Sequence, residues 1–158
     1  MKDVTQKSPT KREALAESTI LMPPEIQTML RERRLEKGDA LEIARVAGVM
    51  AAKKTWEMIP FCHPLPITGV DIEYEFEPDG VRVKARVRTI APTGVEMEAL
   101  AAASLTTLTL YDMLKPHTRQ LEIQHTRLLM KTGGKSGDYV YEGAPASANG
   151  GDDPNQAG

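Results

Sequence analysis

The sequence predicts an α+β protein in which one antiparallel sheet carries helices on one face. Apolar and acidic residues alternate over residues 68–77, and a Pro-Asp-Gly turn separates this stretch from residues 81–90, which predicts a β-hairpin. Helical periodicity occurs before and after the hairpin, and one further strand is predicted towards each end of the chain. Strand, helices, strand, strand, helix, strand is the order of a ferredoxin-like (split βαβ) fold.

The elements predicted before the hairpin are a strand over residues 12–22 and helices over residues 25 to about 34 and 40 to about 59. Pro24 suits the first turn of a helix, where a missing N–H costs nothing. Asp39 is a good N-cap for the second helix, in which small residues allow another element to approach closely. Pro60 ends that helix.

The strongest helix signal lies in residues 93–115. Thr93 is the predicted N-cap, Glu96 completes a capping box, and almost no charge follows until Asp112. Apolar residues occur all round this helix, so we expect the sheet and a second subunit to cover it. Pro116 ends the helix, and a last strand is predicted over residues 121–130.

Asp112 and Lys115 are three residues apart and therefore share a face at the last turn of this helix. One interpretation is a surface ion pair whose lysine also complements the helix dipole. The other is an acid/base couple, because the end of a buried helix has a low dielectric that would shift both pKa values toward working pH. The residue pattern leaves both interpretations open.

Size and composition predict one domain over residues 1–142 and a disordered tail over residues 143–158. With 20 Lys and Arg against 22 Asp and Glu, the chain lacks the basic field that nucleic acid or an anionic membrane requires. One cysteine excludes an internal disulfide, and the absence of a leader or long apolar run predicts a cytoplasmic protein. One cysteine and three histidines predict no protein-bound metal.

Two loops and one turn suit ligand binding. His63 lies in a stretch with three prolines in seven residues, and it is either a packed or surface residue or a ligand contact on a stiff loop. The glycine-rich segment from Lys131 to Lys135 is either a linker or a phosphate-binding loop, and Leu129 excludes a Walker A motif. Lys37 precedes a helix N-terminus, which favours an anion.

Four motifs occur together in the order KGDALEIARVAGVMAAKKTWEMIPFCHPL, TGVEMEAL, LTLYDMLK and KTGGKSGDY. In these motifs the chain resembles the molybdenum cofactor biosynthesis protein C family, the cyclic pyranopterin monophosphate synthases, over residues 3–139. The resemblance implies a ferredoxin-like lyase that converts (8S)-3',8-cyclo-7,8-dihydroguanosine 5'-triphosphate to cyclic pyranopterin monophosphate and pyrophosphate. The reaction belongs to molybdenum cofactor biosynthesis.

The resemblance also implies residue roles, with Asp112 as catalytic acid/base and Lys115 as its partner. The residues implied to bind substrate are Phe61, Cys62, His63, Glu96, Met97, Glu98, Lys37, Arg12, Lys131 and Lys135. No protein-bound cofactor is implied, and Mg²⁺ accompanying the substrate phosphates is an open alternative. The implied assembly is a homo-hexamer, a trimer of dimers.

The predicted helix is too long for one small ligand to contact both of its ends. Glu98 and Asp112 are 14 residues apart, or about 21 Å at about 1.5 Å per residue. We therefore expect sites at a two-fold dimer interface, where Asp112 and Lys115 meet the acidic segment or Lys37 of a second copy. The alternative function is a non-catalytic regulatory oligomer that binds a nucleotide.

Overall fold

The computed structural model describes residues 1–143 and confirms the ferredoxin-like α+β fold. Its elements are β1 (Thr10–Leu21), α1 (Pro24–Arg31), α2 (Ala40–Met58), β2 (Ile67–Glu77), β3 (Gly80–Ala91), α3 (Glu96–Leu114), β4 (Glu122–Thr132) and β5 (Tyr139–Val140). The short strand β5 was not predicted. Apart from Gly143, the predicted disordered tail lies outside the described residues.

The sheet has the strand order β2-β3-β1-β4-β5, and every neighbouring pair is antiparallel. The helices α1 and α2 connect β1 to β2, and α3 connects β3 to β4, so both crossovers skip a strand as the split βαβ pattern requires. Residues of β1 and β3 form two hydrophobic clusters with the helices. All three helices therefore cover the same face of the sheet.

Small residues let α2 and α3 pack closely where they cross. A Cβ atom at Gly48 of α2 would lie 2.1 Å from Thr106 Oγ1 and 3.1 Å from the carbonyl oxygen of Ala102, both in α3. The Thr106 hydroxyl donates to that same carbonyl at 2.8 Å. The two helix backbones can approach this closely only because position 48 has no side chain.

Helix ends depart from the prediction at two places. The first helix ends at Arg31 rather than near residue 34, because Arg33 adopts a positive φ of 54°. The capping box predicted for α3 is wrong, since its N-cap is Val95, an aliphatic side chain, and the Glu96 carboxylate folds over Gly94 towards Lys131. Asp39, in contrast, is confirmed as the N-cap of α2 and accepts a hydrogen bond from the Glu42 amide at 3.3 Å.

The sheet face opposite the helices carries alternating acidic and basic strands. Acidic residues of β1 and β2 pair with basic residues of β3 and β4. The pairs are Asp71–Arg88, Glu75–Lys84, Glu77–Arg82, Glu13–Arg86, Glu17–Arg82 and Glu17–Arg127. These charges neutralise one another within the chain, so this face presents little net field.

Replacing Gly48 by alanine should destabilise the fold by about 1–3 kcal/mol, because the added methyl group overpacks the helix crossing. Alanine normally stabilises a helix interior by about 1 kcal/mol relative to glycine, so the expected destabilisation is opposite to the effect that helix propensity alone predicts. Chemical denaturation measures the effect, with Ala47→Gly as a matched control for the Ala–Gly difference in the same helix. A stabilised Gly48→Ala variant would contradict the packing described here.

Candidate active site

The predicted site residues separate into two groups at opposite ends of α3. One group, which we call the Asp112 cluster, consists of Lys37, Asp112 and Lys115. Leu35 and Ala40, on either side of Lys37, belong to the same hydrophobic cluster as the last turns of α3. The other group belongs to the N-terminal end of α3 and its surroundings, and four of its members, Arg12, Glu96, Lys131 and Lys135, line what we call the basic pocket.

The Asp112 cluster is an exposed ion pair with a third charge nearby. Lys115 Nζ lies 2.7 Å from Asp112 Oδ1, and the two side chains are 56% and 58% exposed. The hydrogen bond and charge of Lys115 lower the pKa of Asp112, and the positive charge of Lys37 lowers it further. In return, Asp112 raises the pKa of Lys115. In the single chain these pKa shifts run opposite to those of the acid/base interpretation and fit the surface ion pair, because both side chains are exposed to water.

An exposed apolar stripe on α3 leads to the Asp112 cluster. Met97 and Leu108 are 40% and 53% exposed, and they share a helix face with Asp112 and Lys115. The neighbouring helix α2 adds the exposed side chains of Ile43, Val46 and Met50. Several large exposed apolar side chains on two packed helices favour a protein interface.

The basic pocket, of about 750 Å³, lies between the N-terminal segment, the start of α3 and the glycine-rich loop. The cations that line it are Lys2, Lys7, Arg12, Lys131 and Lys135. Glu96 also lines it and lies 3.8 Å from Lys131. Five cations against one carboxylate favour a ligand that carries several negative charges.

The glycine-rich loop forms one wall of this pocket. Gly133 and Gly134 have φ values of +86° and +88°, and a Cβ at Gly134 would lie 2.0 Å from Arg12 Nη1. Glycine is therefore needed both for the backbone conformation and for contact with the guanidinium group. Lys131 Nζ donates to Ser136 Oγ at 2.8 Å, which holds the loop across its base.

His63 and Cys62 lie in the loop after α2. Cys62 is near the buried carboxylate of Glu98. His63 Nε2 lies 2.8 Å from the carbonyl oxygen of Lys2. Glu98 is only 4% exposed, and this burial raises its pKa to about 7. Burial also raises the pKa of Cys62, and the nearby charge of Glu98 adds to the shift. Phe61, which precedes Cys62, is 75% exposed.

Lys2 and Lys7 are pocket residues that the sequence did not reveal. Both lie in residues 1–9, a polar segment without periodicity. In the structure this segment contributes to two neighbouring pockets. Their positive charge was the only feature of the sequence that could have indicated an anion site. Charge alone, in a polar segment, does not show which part of the fold a lysine faces.

Within residues 1–143, no three His, Cys, Asp or Glu side chains lie close enough together to bind a metal ion. Over the same range, no helix has the length and apolar character needed to cross a bilayer.

The fold and the basic pocket define a ferredoxin-like protein whose pocket favours a ligand with several negative charges. The chain belongs to the MoaC family, which it matches over residues 1–134. The cyclic pyranopterin monophosphate synthase of Brevibacillus brevis is 56% identical over 140 residues, 88% of this chain and 88% of the relative. Proteins of the same name from Methylobacterium nodulans and Deinococcus radiodurans are 51% and 47% identical, over 92% and 88% of this chain and 91% and 83% of their own.

The raised pKa of Glu98 predicts a specific pH dependence of stability. Between pH 4.5, its ordinary value, and about pH 7 the folded state holds a proton that the unfolded state has lost. Stability should therefore fall as the pH rises through this window, by up to about 3 kcal/mol, since one pKa unit corresponds to about 1.4 kcal/mol.

Denaturation at pH 4.5, 6 and 8 checks this prediction at a fixed protein concentration. Glu98→Gln should flatten the dependence, because the amide does not titrate, while Glu25→Gln, an exposed control on α1, should keep it. Equal pH dependence in the wild type and Glu98→Gln would show that Glu98 titrates normally.

Proposed function

We propose that this protein is a cyclic pyranopterin monophosphate synthase, a lyase of molybdenum cofactor biosynthesis. Its substrate in this proposal is (8S)-3',8-cyclo-7,8-dihydroguanosine 5'-triphosphate. The basic pocket is the observation that carries the proposal, since five cations there suit a triphosphate. The names of the relatives agree with this substrate.

The chemistry requires cations and proton-transfer groups. To form a cyclic monophosphate from a triphosphate, an oxygen of the same molecule displaces pyrophosphate from the α-phosphorus. Lys131, Lys135 and Arg12 would stabilise the charge on the leaving pyrophosphate. Ring opening and closure require protons to be moved repeatedly, and in this proposal Asp112 and Lys115 move them, with Lys37 beside them.

The proposal also assigns substrate contacts to the other predicted residues. His63 and Glu96 each line one of two pockets that share Lys2, Lys7 and Pro92, and Cys62 is close enough to Glu98 to feel its charge. Glu98 can give or take a proton near neutral pH because of its raised pKa. Phe61 and Met97 are exposed in the single chain, and the proposal assigns them contacts with substrate in the assembled protein.

We further propose that each active site is shared between two chains. Glu96 and Asp112 are 16 residues apart on α3, which is about 24 Å along its axis. A two-fold dimer that pairs antiparallel α3 stripes would bring the Asp112 cluster of one chain to the basic pocket of the other. Covering the stripe would also remove water from Asp112 and Lys115. The contact of Asp112 with a second copy's Lys37 is discarded, because Lys37 lies beside Asp112 in its own chain.

The remaining parts of the proposal concern assembly, cofactors and location. Three such dimers would form the homo-hexamer that the sequence resemblance implies. The proposal includes no protein-bound cofactor, and any Mg²⁺ would enter with the substrate phosphates. The cytoplasmic location stays a prediction.

Pyrophosphate release from the cyclised substrate tests the function directly. The wild-type protein should release one pyrophosphate for each cyclic pyranopterin monophosphate formed. A protein that binds the substrate without releasing pyrophosphate would be the non-catalytic regulatory oligomer instead.

Asp112→Asn should lower kcat by about 10²-fold to 10⁴-fold, because the amide cannot exchange a proton. Lys115→Ala should have a loss in the same range. Glu57→Gln is a matched control, since Lys54 and Glu57 form an exposed i,i+3 pair on α2 at 3.7 Å. An Asp112→Asn variant that keeps most of the wild-type rate would exclude Asp112 as the acid/base.

Mixing two inactive variants should restore activity only when their lesions lie at opposite ends of α3. In a mixed dimer of Asp112→Asn and Lys131→Ala, one site receives both intact halves. Recovery should approach roughly a quarter of wild-type activity, since about half of the dimers are mixed and each has one intact site of two.

The matched control for this mixture is Asp112→Asn with Lys37→Ala, which should show no recovery because both lesions lie in the Asp112 cluster. Subunit exchange is followed with differently tagged chains. Exchange without recovery in the Lys131→Ala mixture would mean that each site belongs to one chain.

A further inference from the structure

The N-terminal segment, residues 1–9, forms an ordered contact with the His63 ring. The carbonyl oxygen of Lys2 lies 2.8 Å from His63 Nε2. His63 lines a pocket of about 600 Å³ with residues 1–5, and this pocket shares Lys2, Lys7 and Pro92 with the basic pocket. The histidine ring therefore lines a pocket that shares three residues with the basic pocket, although it does not line the basic pocket itself.

A tight turn holds the segment in place. The carboxylate oxygen Oδ1 of Asp3 accepts hydrogen bonds from the Thr5 amide at 2.9 Å and from the Thr5 hydroxyl at 2.6 Å. The Lys7 amide then donates to the Val4 carbonyl at 2.9 Å. Asp3 is also close enough to His63 for their charges to interact. Residues 1–9 do not belong to the hydrophobic clusters of the core, so core packing does not hold this segment in place.

A carbonyl oxygen can only accept a hydrogen bond, so His63 Nε2 must carry the hydrogen in this contact. In a neutral imidazole the other nitrogen, Nδ1, then has the free electron pair. The contact therefore selects one tautomer and leaves Nδ1 as the only ring atom that can accept a proton.

We propose that the N-terminal segment is a positioning element of the active site, in which the Lys2 carbonyl fixes His63 as the Nε2–H tautomer and the Asp3–Thr5 turn places that carbonyl. The proposal rests on the proposed function, in which His63 contacts substrate, and it assigns that contact to Nδ1. It assigns Lys2 and Asp3 a role through His63 and no contact with the reacting atoms.

The first measurement is the tautomer of His63 in the full-length protein. NMR of histidine labelled with ¹³C and ¹⁵N, recorded near pH 8, distinguishes Nε2–H from Nδ1–H rings, since an ordinary histidine with a pKa of about 6.5 is neutral there. The chain has three histidines, and His117→Asn and His125→Asn assign the signal of His63. This readout does not need turnover, so it stays informative if the proposed reaction is wrong.

The second measurement compares two variants of Asp3. Asp3→Ala loses both hydrogen bonds to Thr5, whereas Asp3→Asn keeps an acceptor oxygen and removes only the charge. Asp3→Ala should give a mixture of His63 tautomers and lower kcat by about tenfold, less than the roughly 10²-fold expected for loss of the histidine itself. Asp3→Asn should stay close to wild type in both respects, and Thr28→Val, which removes an exposed local bond on α1, is the control.

A third variant lacks residues 2–5 and therefore lacks the Lys2 carbonyl. It should show mixed tautomers while keeping the circular dichroism spectrum of the fold, because the deleted residues lie outside the hydrophobic clusters. An Nδ1–H ring in the wild type would overturn the proposal. So would an unchanged tautomer in Asp3→Ala or the deletion variant, or a changed tautomer with unchanged kcat. Absence of turnover by the wild type would instead refute the proposed function, which separates the two failures.

Discussion

Close packing of α3 against the sheet and against α2 is the contact on which the rest of the structure depends. Alanines of β1, β3 and α3 meet across this layer, and Gly48 of α2 accepts Thr106 of α3 where a side chain would clash. A layer of small side chains has few alternative packings, so α3 is held in one position. The positions of both helix ends are therefore fixed, and Glu96 and Asp112 lie about 24 Å apart along the helix axis.

This separation is the reason that the proposed active site is divided between two chains. Asp112 and Lys115 alone form a solvated ion pair, and their mutual stabilisation keeps both charged. In the proposed dimer, a second α3 stripe would cover Leu108 and remove water from the pair. Desolvation disfavours the charged form of each group and so acts against the shifts seen in the single chain. Assembly would then prepare these groups for proton transfer.

Local charge matters more than net charge at the other end of α3. The chain carries a formal charge of -2, yet the basic pocket collects five cations around Glu96. Pairing within the sheet neutralises many acidic residues, including Glu17 between Arg82 and Arg127. A polyanionic ligand is therefore favoured at one place on a protein that has no general affinity for anions.

The sequence by itself determined the type and order of the elements, because those signals act over a few residues. The alternation of Val70, Ile72 and Tyr74 with acidic residues, the Pro-Asp-Gly turn and the Asp39 cap all indicate structure locally. The family resemblance named Arg12, Glu96, Lys131 and Lys135 among the residues that line the pocket. Only the tertiary structure decided that Glu96 turns to Lys131 instead of capping α3, that Lys2 and Lys7 reach the pocket, and that Asp112 is solvated. Each of these outcomes depends on distances between residues far apart in the chain, and on the water that packing removes or leaves, which no local pattern encodes.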